Sequence, residues 1–134
     1  MKVILDANAL FVPAQFKIDI FEELERLLNV NLEPVLLSPI LRELEMLSRE
    51  GSPKMRKDAG LALKLAEKCK LTEVTKYGLW SPDDVIVKVA GEWNCPVFTN
   101  DRQLKKRLRD INVPVIYVRQ KSQLEMEGRL IIPV

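Results

Sequence analysis

The sequence predicts a three-layer α/β fold in which helices cover both faces of a parallel, doubly wound sheet of about five strands. Two observations carry this expectation. Short apolar runs of the buried-strand kind recur at five places, and between them lie longer segments whose apolar residues repeat at three- and four-residue spacings. Parallel neighbours need a crossover, and right-handed crossovers place helices on both sides of the sheet. The length of 134 residues fits one domain, residues 1–134, able to bury about 70% of its unfolded surface.

The elements follow in order. Lys2 to Leu5, KVIL, is the first strand. Lys17 to Asn29 carries Ile18, Phe21, Leu24, Leu27 and Leu28 at helical spacing. Pro34 to Leu37 is the second strand, and Ser38-Pro39 reads as an N-cap and first helical residue opening a helix to Glu50. Gly51-Ser52-Pro53 is a corner between helices, and Lys54 to Cys69 is the next helix. Leu71 to Thr75 is a strand. Ser81-Pro82 opens another helix, to Asn94, and Pro96 to Thr99, Asp101 to Asp110 and Pro114 to Val118 give strand, helix, strand. In the tail, a Glu127-Gly128 turn followed by Arg129 to Val134 suggests an extra edge strand or a dimer contact.

Composition narrows the chemistry. Apolar residues make up 47% and charged residues 30%, which suits a compact soluble protein. The N-terminal apolar run is too short for a signal-peptide core, and no stretch of about 18 apolar residues occurs, so a cytoplasmic protein is expected, with no membrane partner. Cys69 and Cys95 lack metal-knuckle spacing and read as buried structural thiols. There is no histidine, which removes Ser-His and Cys-His catalysis and His-bound zinc. Chemistry must therefore rest on carboxylates, amines or hydroxyls. The net charge of +2 says little; local clustering has to be read instead.

Acids recur at one predicted edge of the sheet. Asp6 ends the first strand, Glu43 lies one turn into the helix after the second, Asp83 and Asp84 open the helix after Ser81, and Asp101 follows the strand PVFT. All lie near the carboxyl ends of parallel strands, where ligands bind in such sheets. Each also has a simpler explanation: helix capping for Asp6, Asp83, Asp84 and Asp101, and a solvated flank for Glu43. Taken together they favour a joint role. Like charges a few ångströms apart destabilise a fold unless something neutralises them, and oxygen-only ligands favour magnesium or manganese. One or two such ions can activate water for attack at phosphorus.

With LDAN, SPILRELEML, SPDDVIVKVA, VFTNDRQLKKRL and VPVIYVR in this order, the chain resembles the PIN domain (PilT N-terminal) nucleases over nearly its whole length, and within them the archaeal members related to rRNA-processing nucleases. The resemblance implies endonucleolytic RNA cleavage in an acidic pocket holding magnesium or manganese. It assigns Asp6, Glu43 and Asp101 as metal-binding acids and leaves the fourth to the pair Asp83 and Asp84, with the register through Ile86 and Ala90 favouring Asp83. Asn8, Thr99 and Asn100 match positions that brace the pocket. RNA is the implied substrate, in rRNA maturation or toxin-type cleavage, with a ribosome-assembly protein or an antitoxin as candidate partner. The doubled Asp departs from the toxin members. A homodimer is common in the family, and the apolar tail is consistent with one.

Beside Asp101, Arg102, Lys105, Lys106, Arg107 and Arg109 surround only two apolar positions, Leu104 and Leu108, so the helix presents a broad cationic face suited to phosphate. Of these, Arg102, Lys105, Lys106 and Arg109 are candidate RNA contacts; Lys54, Arg56 and Lys57 open a second basic helix. Trp80 and Trp93 read as packing residues, and no clustered aromatics form a stacking platform. Two other classes share features of the pattern: a magnesium-dependent phosphotransfer domain of the receiver or haloacid-dehalogenase type, and an RNA-binding module without turnover. The first would show an acidic pair before Asp6 or a second Asp where Asn8 stands.

Overall fold

The computed structural model describes residues 1–130. Six strands form one sheet in the order β3-β2-β1-β4-β5-β6, all parallel except β6. They are β1 (Lys2–Leu5), β2 (Glu33–Leu37), β3 (Lys70–Thr72), β4 (Val97–Phe98), β5 (Val115–Arg119) and β6 (Gln123–Glu127). The helices are α1 (Ala7–Phe16), α2 (Ile20–Leu28), α3 (Ser38–Glu50), α4 (Pro53–Ala66), α5 (Pro82–Trp93) and α6 (Arg102–Asp110). The five predicted strands are present within a few residues, and the sixth is an antiparallel edge. It precedes the Glu127-Gly128 turn instead of following it. The suggested edge strand from Arg129 onward falls mostly on residues 131–134, outside the described residues.

The central strands are apolar because both of their faces are covered. Val3, Ile4 and Leu5 are wholly buried, as are Val97, Phe98, Val115 and Ile116. From β1 the chain crosses to β2 and β3 on one side, then returns past β1 to β4 and β5 on the other. Right-handed crossovers place the helices leading to β2 and β3 on one face and α5 and α6, which run in the opposite direction, on the other. In keeping with this, α1 and α3 both pack against α4, while α5 packs against α6. The chain thus reverses its winding between the neighbours β1 and β4. A crevice opens there beyond the strand ends.

Helix α1 was not expected from the sequence. Ala7, Ala9, Leu10, Phe11 and Val12 are all buried, so the helix is apolar around most of its surface and shows no one-sided stripe; Pro13 inside it further masks the pattern. The Gly51 corner is as expected: a Cβ there would come within 2.8 Å of the Leu47 carbonyl oxygen, and Ser52 caps α4 by accepting from Met55 N–H. Ser38 does not act as the expected cap. Leu37 is the N-cap of α3 and makes no side-chain cap bond, whereas the buried Ser38 hydroxyl accepts the N–H of Val74, tying α3 to the segment after β3. Thr75 leaves that strand for a short 3-10 turn, Thr75–Tyr77.

Both thiols are free; Cys95 is buried as expected, whereas Cys69 is only half-buried. Burial pushes Cys69 up to about 12 and Cys95 to about 11, so neither is a thiolate near neutral pH. No helix among the described residues is long and apolar enough to cross a membrane.

Candidate functional site

Backbone pairing at the switch point brings together residues far apart in the chain. The N–H of Asp6 donates to the Phe98 carbonyl at 3.0 Å, so the first residues beyond β1 and β4 stand level, and the N–H of Thr99 donates to the carbonyl of Ile116 at 3.0 Å, inside β5, which runs on past them. Asp6 is almost fully buried, with 5% of its surface exposed, and Thr99 is wholly buried. A buried carboxylate needs donors. Asp6 Oδ1 accepts the N–H of Ala7 at 2.8 Å; Oδ2 accepts the Thr99 hydroxyl at 2.8 Å and Asn8 Nδ2 at 3.1 Å.

The same side chains hold the neighbouring loop. Thr99 Oγ1 accepts the N–H of Asp101 at 3.1 Å, Asn8 Oδ1 accepts the N–H of Asn100 at 2.9 Å, and Asn100 Oδ1 accepts the N–H of Val118 at 2.9 Å. Asn8, Thr99 and Asn100 therefore stitch the loop after β1 to the loop after β4 and to β5. Asp101 Oδ1 caps α6, accepting from Gln103 at 2.8 Å and Leu104 at 3.1 Å, while its other oxygen has no partner among the described residues. Capping and a site role coexist in Asp6 and Asp101, one at the start of α1 and one at the start of α6.

Glu43 from α3 and Asp83 from α5 are half-buried and enter the same electrostatic neighbourhood. Burial raises the pKa of Asp6 despite the lowering bonds from Thr99 and Ala7, and the charges of Asp83 and Asp101 raise it further. Burial, then the charges of Asp6 and Asp83, raise Glu43. Burial and the charge of Asp101 raise Asp83, although Arg107 partly offsets this. Asp84 turns elsewhere: its Oδ1 lies 2.7 Å from Arg107 Nη2 on the surface, and this bond, with the one from Ser81, lowers its pKa. Of the doubled pair, Asp83 joins the acids and Asp84 the surface.

Among the described residues no three acids stand close enough to form a ready-made cage for an ion. The set is electrostatically coupled but open. Its donors are all hard oxygens, three of the four acids are disfavoured as anions by burial and by one another, and no ion pair with Lys or Arg neutralises Asp6, Glu43, Asp83 or Asp101 among the described residues. That donor set fits a hard divalent cation.

A pH dependence follows. Folded pKa values above the unfolded ones mean that these groups contribute stability below the ordinary carboxylate range and lose it as pH rises through their folded values. With divalent ions chelated, the midpoint of thermal unfolding should therefore fall as pH is raised from about 4 towards neutrality. A midpoint that rises steadily over this window would contradict the coupling.

The basic helix is less free than its sequence suggests. Lys105 sits 2.7 Å from Glu127 and 3.9 Å above the Tyr117 ring, Arg107 pairs with Asp84, and Arg109 donates to the Val113 carbonyl at 3.3 Å. Arg102 and Lys106 are exposed and make no ion pair among the described residues. A cavity beside Thr99 and Asn100 is lined by Arg102 and Lys105 but also by Gln15, Phe16, Tyr117 and Lys121, which the sequence did not single out. Gln15 and Phe16 close the unexpected helix, and Lys121 belongs to the β5–β6 turn, where Gln120 and Lys121 both take positive φ. Of the tryptophans, Trp93 is partly buried with Lys2 over its ring, but Trp80 is 50% exposed, 5.0 Å from the Tyr77 ring.

Comparison with known proteins agrees with this architecture. Residues 3–121 match the family described as a PIN like domain. The chain is 38% identical over 128 residues to ribonuclease VapC4 of Methanocaldococcus jannaschii, covering 95% of this chain and 97% of that one. It is 30% identical over 117 residues to the rRNA-processing protein fcf1 of Schizosaccharomyces pombe, covering 87% of this chain and 58% of fcf1. Among solved structures, the PIN domain endonuclease Utp24 superposes with a TM-score of 0.79 at 29% identity, covering 99% of this chain and 96% of that one.

Proposed function

This chain belongs to the PIN like domain family, and from that premise we propose that it is a divalent-metal-dependent endoribonuclease whose ion is held by Asp6, Glu43, Asp83 and Asp101. One observation carries the proposal: four acids from four separate elements act on one another's charge beyond β1 and β4, and none of them is in an ion pair with Lys or Arg among the described residues. One or two magnesium or manganese ions, when bound, would supply Lewis acidity towards the phosphate and acidify the attacking water.

The chain's own residues do the rest. Thr99 and Asn8 fix the orientation of Asp6, and the Thr99 hydroxyl sets where Asp101 begins α6. Asn100, held between Asn8 and Val118, keeps the two loops in register. Arg102 and Lys106 are available to the phosphate backbone. Hydrolysis adds water across one phosphodiester: a new P–O bond forms, the old one breaks, and the leaving oxygen takes a proton. Membership of this family removes the motive for a receiver or dehalogenase reading.

The ribonuclease relative at 38% identity and the structural likeness to an endonuclease support RNA as substrate. The likeness to fcf1 and Utp24, with the doubled Asp83-Asp84, favours rRNA maturation with ribosome-assembly proteins as partners. The VapC4 relative supports the second role, a toxin-type RNase with an antitoxin. The test is cleavage of a mixed RNA pool in manganese. Asp101→Asn should lose most of the cleavage, whereas Asp84→Asn should stay within about fivefold of native, because an exposed ion pair is worth ~1 kcal/mol or less. Equal cleavage by native and Asp101→Asn would point to a contaminating nuclease, or to an RNA-binding module without turnover.

A further inference from the structure

Helix α4 packs against α1 and α3 and buries Ala59, Ala62 and Ala66. At about 3.6 residues per turn, its opposite face carries Lys54, Lys57, Gly60, Leu61 and Lys64. The three lysines are exposed and make no ion pair among the described residues, and Leu61 stands between them with 43% of its surface exposed. Asp58, the one acid inside the helix, lies half-buried on the flank. Over about 15 Å the outward face is therefore cationic, with an apolar spot at its centre. Gly60 beside that spot has no cause within the chain. Glycine weakens a helix interior, and its compensating use is to let another molecule or backbone come close. A Cβ at Gly60 would meet nothing within 4 Å, so no neighbour among the described residues needs the gap.

A notch at Gly60 with leucine beside it and lysines before and after it is shaped for a second helix. We infer that the outward face of α4 docks an acidic amphipathic helix of a partner protein, an apolar residue of that helix lying over Gly60 against Leu61 and its carboxylates facing Lys54, Lys57 and Lys64. Charge decides among the occupants. A second copy of this chain, placed face to face, would set lysine against lysine. A nucleic-acid strand would match the charge but leave Leu61 and the Gly60 notch unused, and α4 has no aromatic residue on which a base could stack. A helix bearing carboxylates around an apolar stripe uses both features. The face points away from α3, which carries Glu43, so a docked helix leaves the acid cluster open.

The experiment uses the full native chain and a labelled synthetic peptide of about 20 residues, long enough to form a helix, with alanine and leucine on one face and glutamate along its flanks. Fluorescence anisotropy should show binding that weakens as salt is raised. Lys57→Glu combined with Lys64→Glu should weaken it at least about tenfold, because like charges then face the glutamates. Gly60→Leu should weaken it as much while raising the midpoint of thermal unfolding, since leucine favours helix and its Cβ enters open space. A role confined to folding would not move the two readouts in opposite directions. The same peptide with lysine in place of glutamate should not bind, and RNA cleavage by the native chain in manganese should continue with the acidic peptide bound. No binding of the acidic peptide, equal binding by the native chain and both variants, or a peptide that stops cleavage overturns the inference. It is also overturned by a native dimer that Gly60→Leu disperses, which makes a second copy the occupant. A single-stranded RNA oligonucleotide of mixed sequence that loses as much affinity as the peptide does in the charge variant overturns it too, by making the face an RNA track. The peptide titrations stand whether or not the chain cuts RNA.

Discussion

Asp6→Asn is expected to lower RNA cleavage by at least about a thousandfold, roughly 4 kcal/mol of transition-state stabilisation, while the metal-free protein unfolds at the same temperature as native or higher. The two halves of this result have different causes. Activity falls because the most buried acid of the cluster loses its charge. Stability holds because that charge was a burden: burial and the neighbouring acids already disfavour the ionised form, and asparagine keeps an oxygen for the Ala7 N–H while its amide N–H can donate to the Thr99 hydroxyl oxygen in place of the bond the carboxylate accepted. Near neutral pH the native protein should gain thermal stability when manganese is added, by about 2.7 kcal/mol at a hundredfold excess over Kd, and the variant should gain much less. Scanning calorimetry with and without the ion measures this directly. An equal gain in both proteins would place the ion elsewhere.

Thr99→Val is expected to cost about 1–3 kcal/mol of stability and about 10- to 100-fold in cleavage, although valine matches threonine in shape. In a fully buried place the hydroxyl, which also accepts from Asn8 Nδ2, has two shorter bonds: it donates to Asp6 Oδ2 and accepts from the N–H of Asp101. Valine leaves both without it. The bond from Thr99 lowers the pKa of Asp6 against the effect of burial, so its loss raises that pKa and should move the onset of activity to higher pH. A merely weakened fold would lower activity without moving the profile. Thr99→Ser, which keeps the hydroxyl, should restore the native profile; failure to do so would show that shape, not the hydrogen bond, is what matters.

The parallel sheet was legible because its strands are covered on both faces and so read as unbroken apolar runs, as KVIL does. The acids at the strand ends were legible for the same reason, since a charge stands out where an apolar run stops. Helix α1 was hidden by its own burial: with Ala7, Ala9, Leu10, Phe11 and Val12 inside the core there is no broad polar face to set a period, and Pro13 suggests a break. Ser38 misled because Ser-Pro is an ordinary helix start, and only the tertiary structure brings Val74 to its hydroxyl. Asp83 and Asp84 could be ranked but not separated from sequence, since the deciding partner, Arg107, lies 23 positions away. The cavity beside Asn100 depends on a hairpin turn with positive φ at Gln120 and Lys121, neither of them a glycine that would have announced it.

The pairing of β1 with β4 also has a bearing on biosynthesis. Asp6 and Thr99 are 93 positions apart, and Asp83 and Asp101 arrive with the later segments. A chain still emerging from the ribosome, surrounded by the very polymer it is proposed to cut, carries Asp6 and Glu43 and then Asp83 before Thr99 and Asp101 have been translated. On the proposed function, the order of elements thus withholds a complete acid set until the segment through Asp101 has been made.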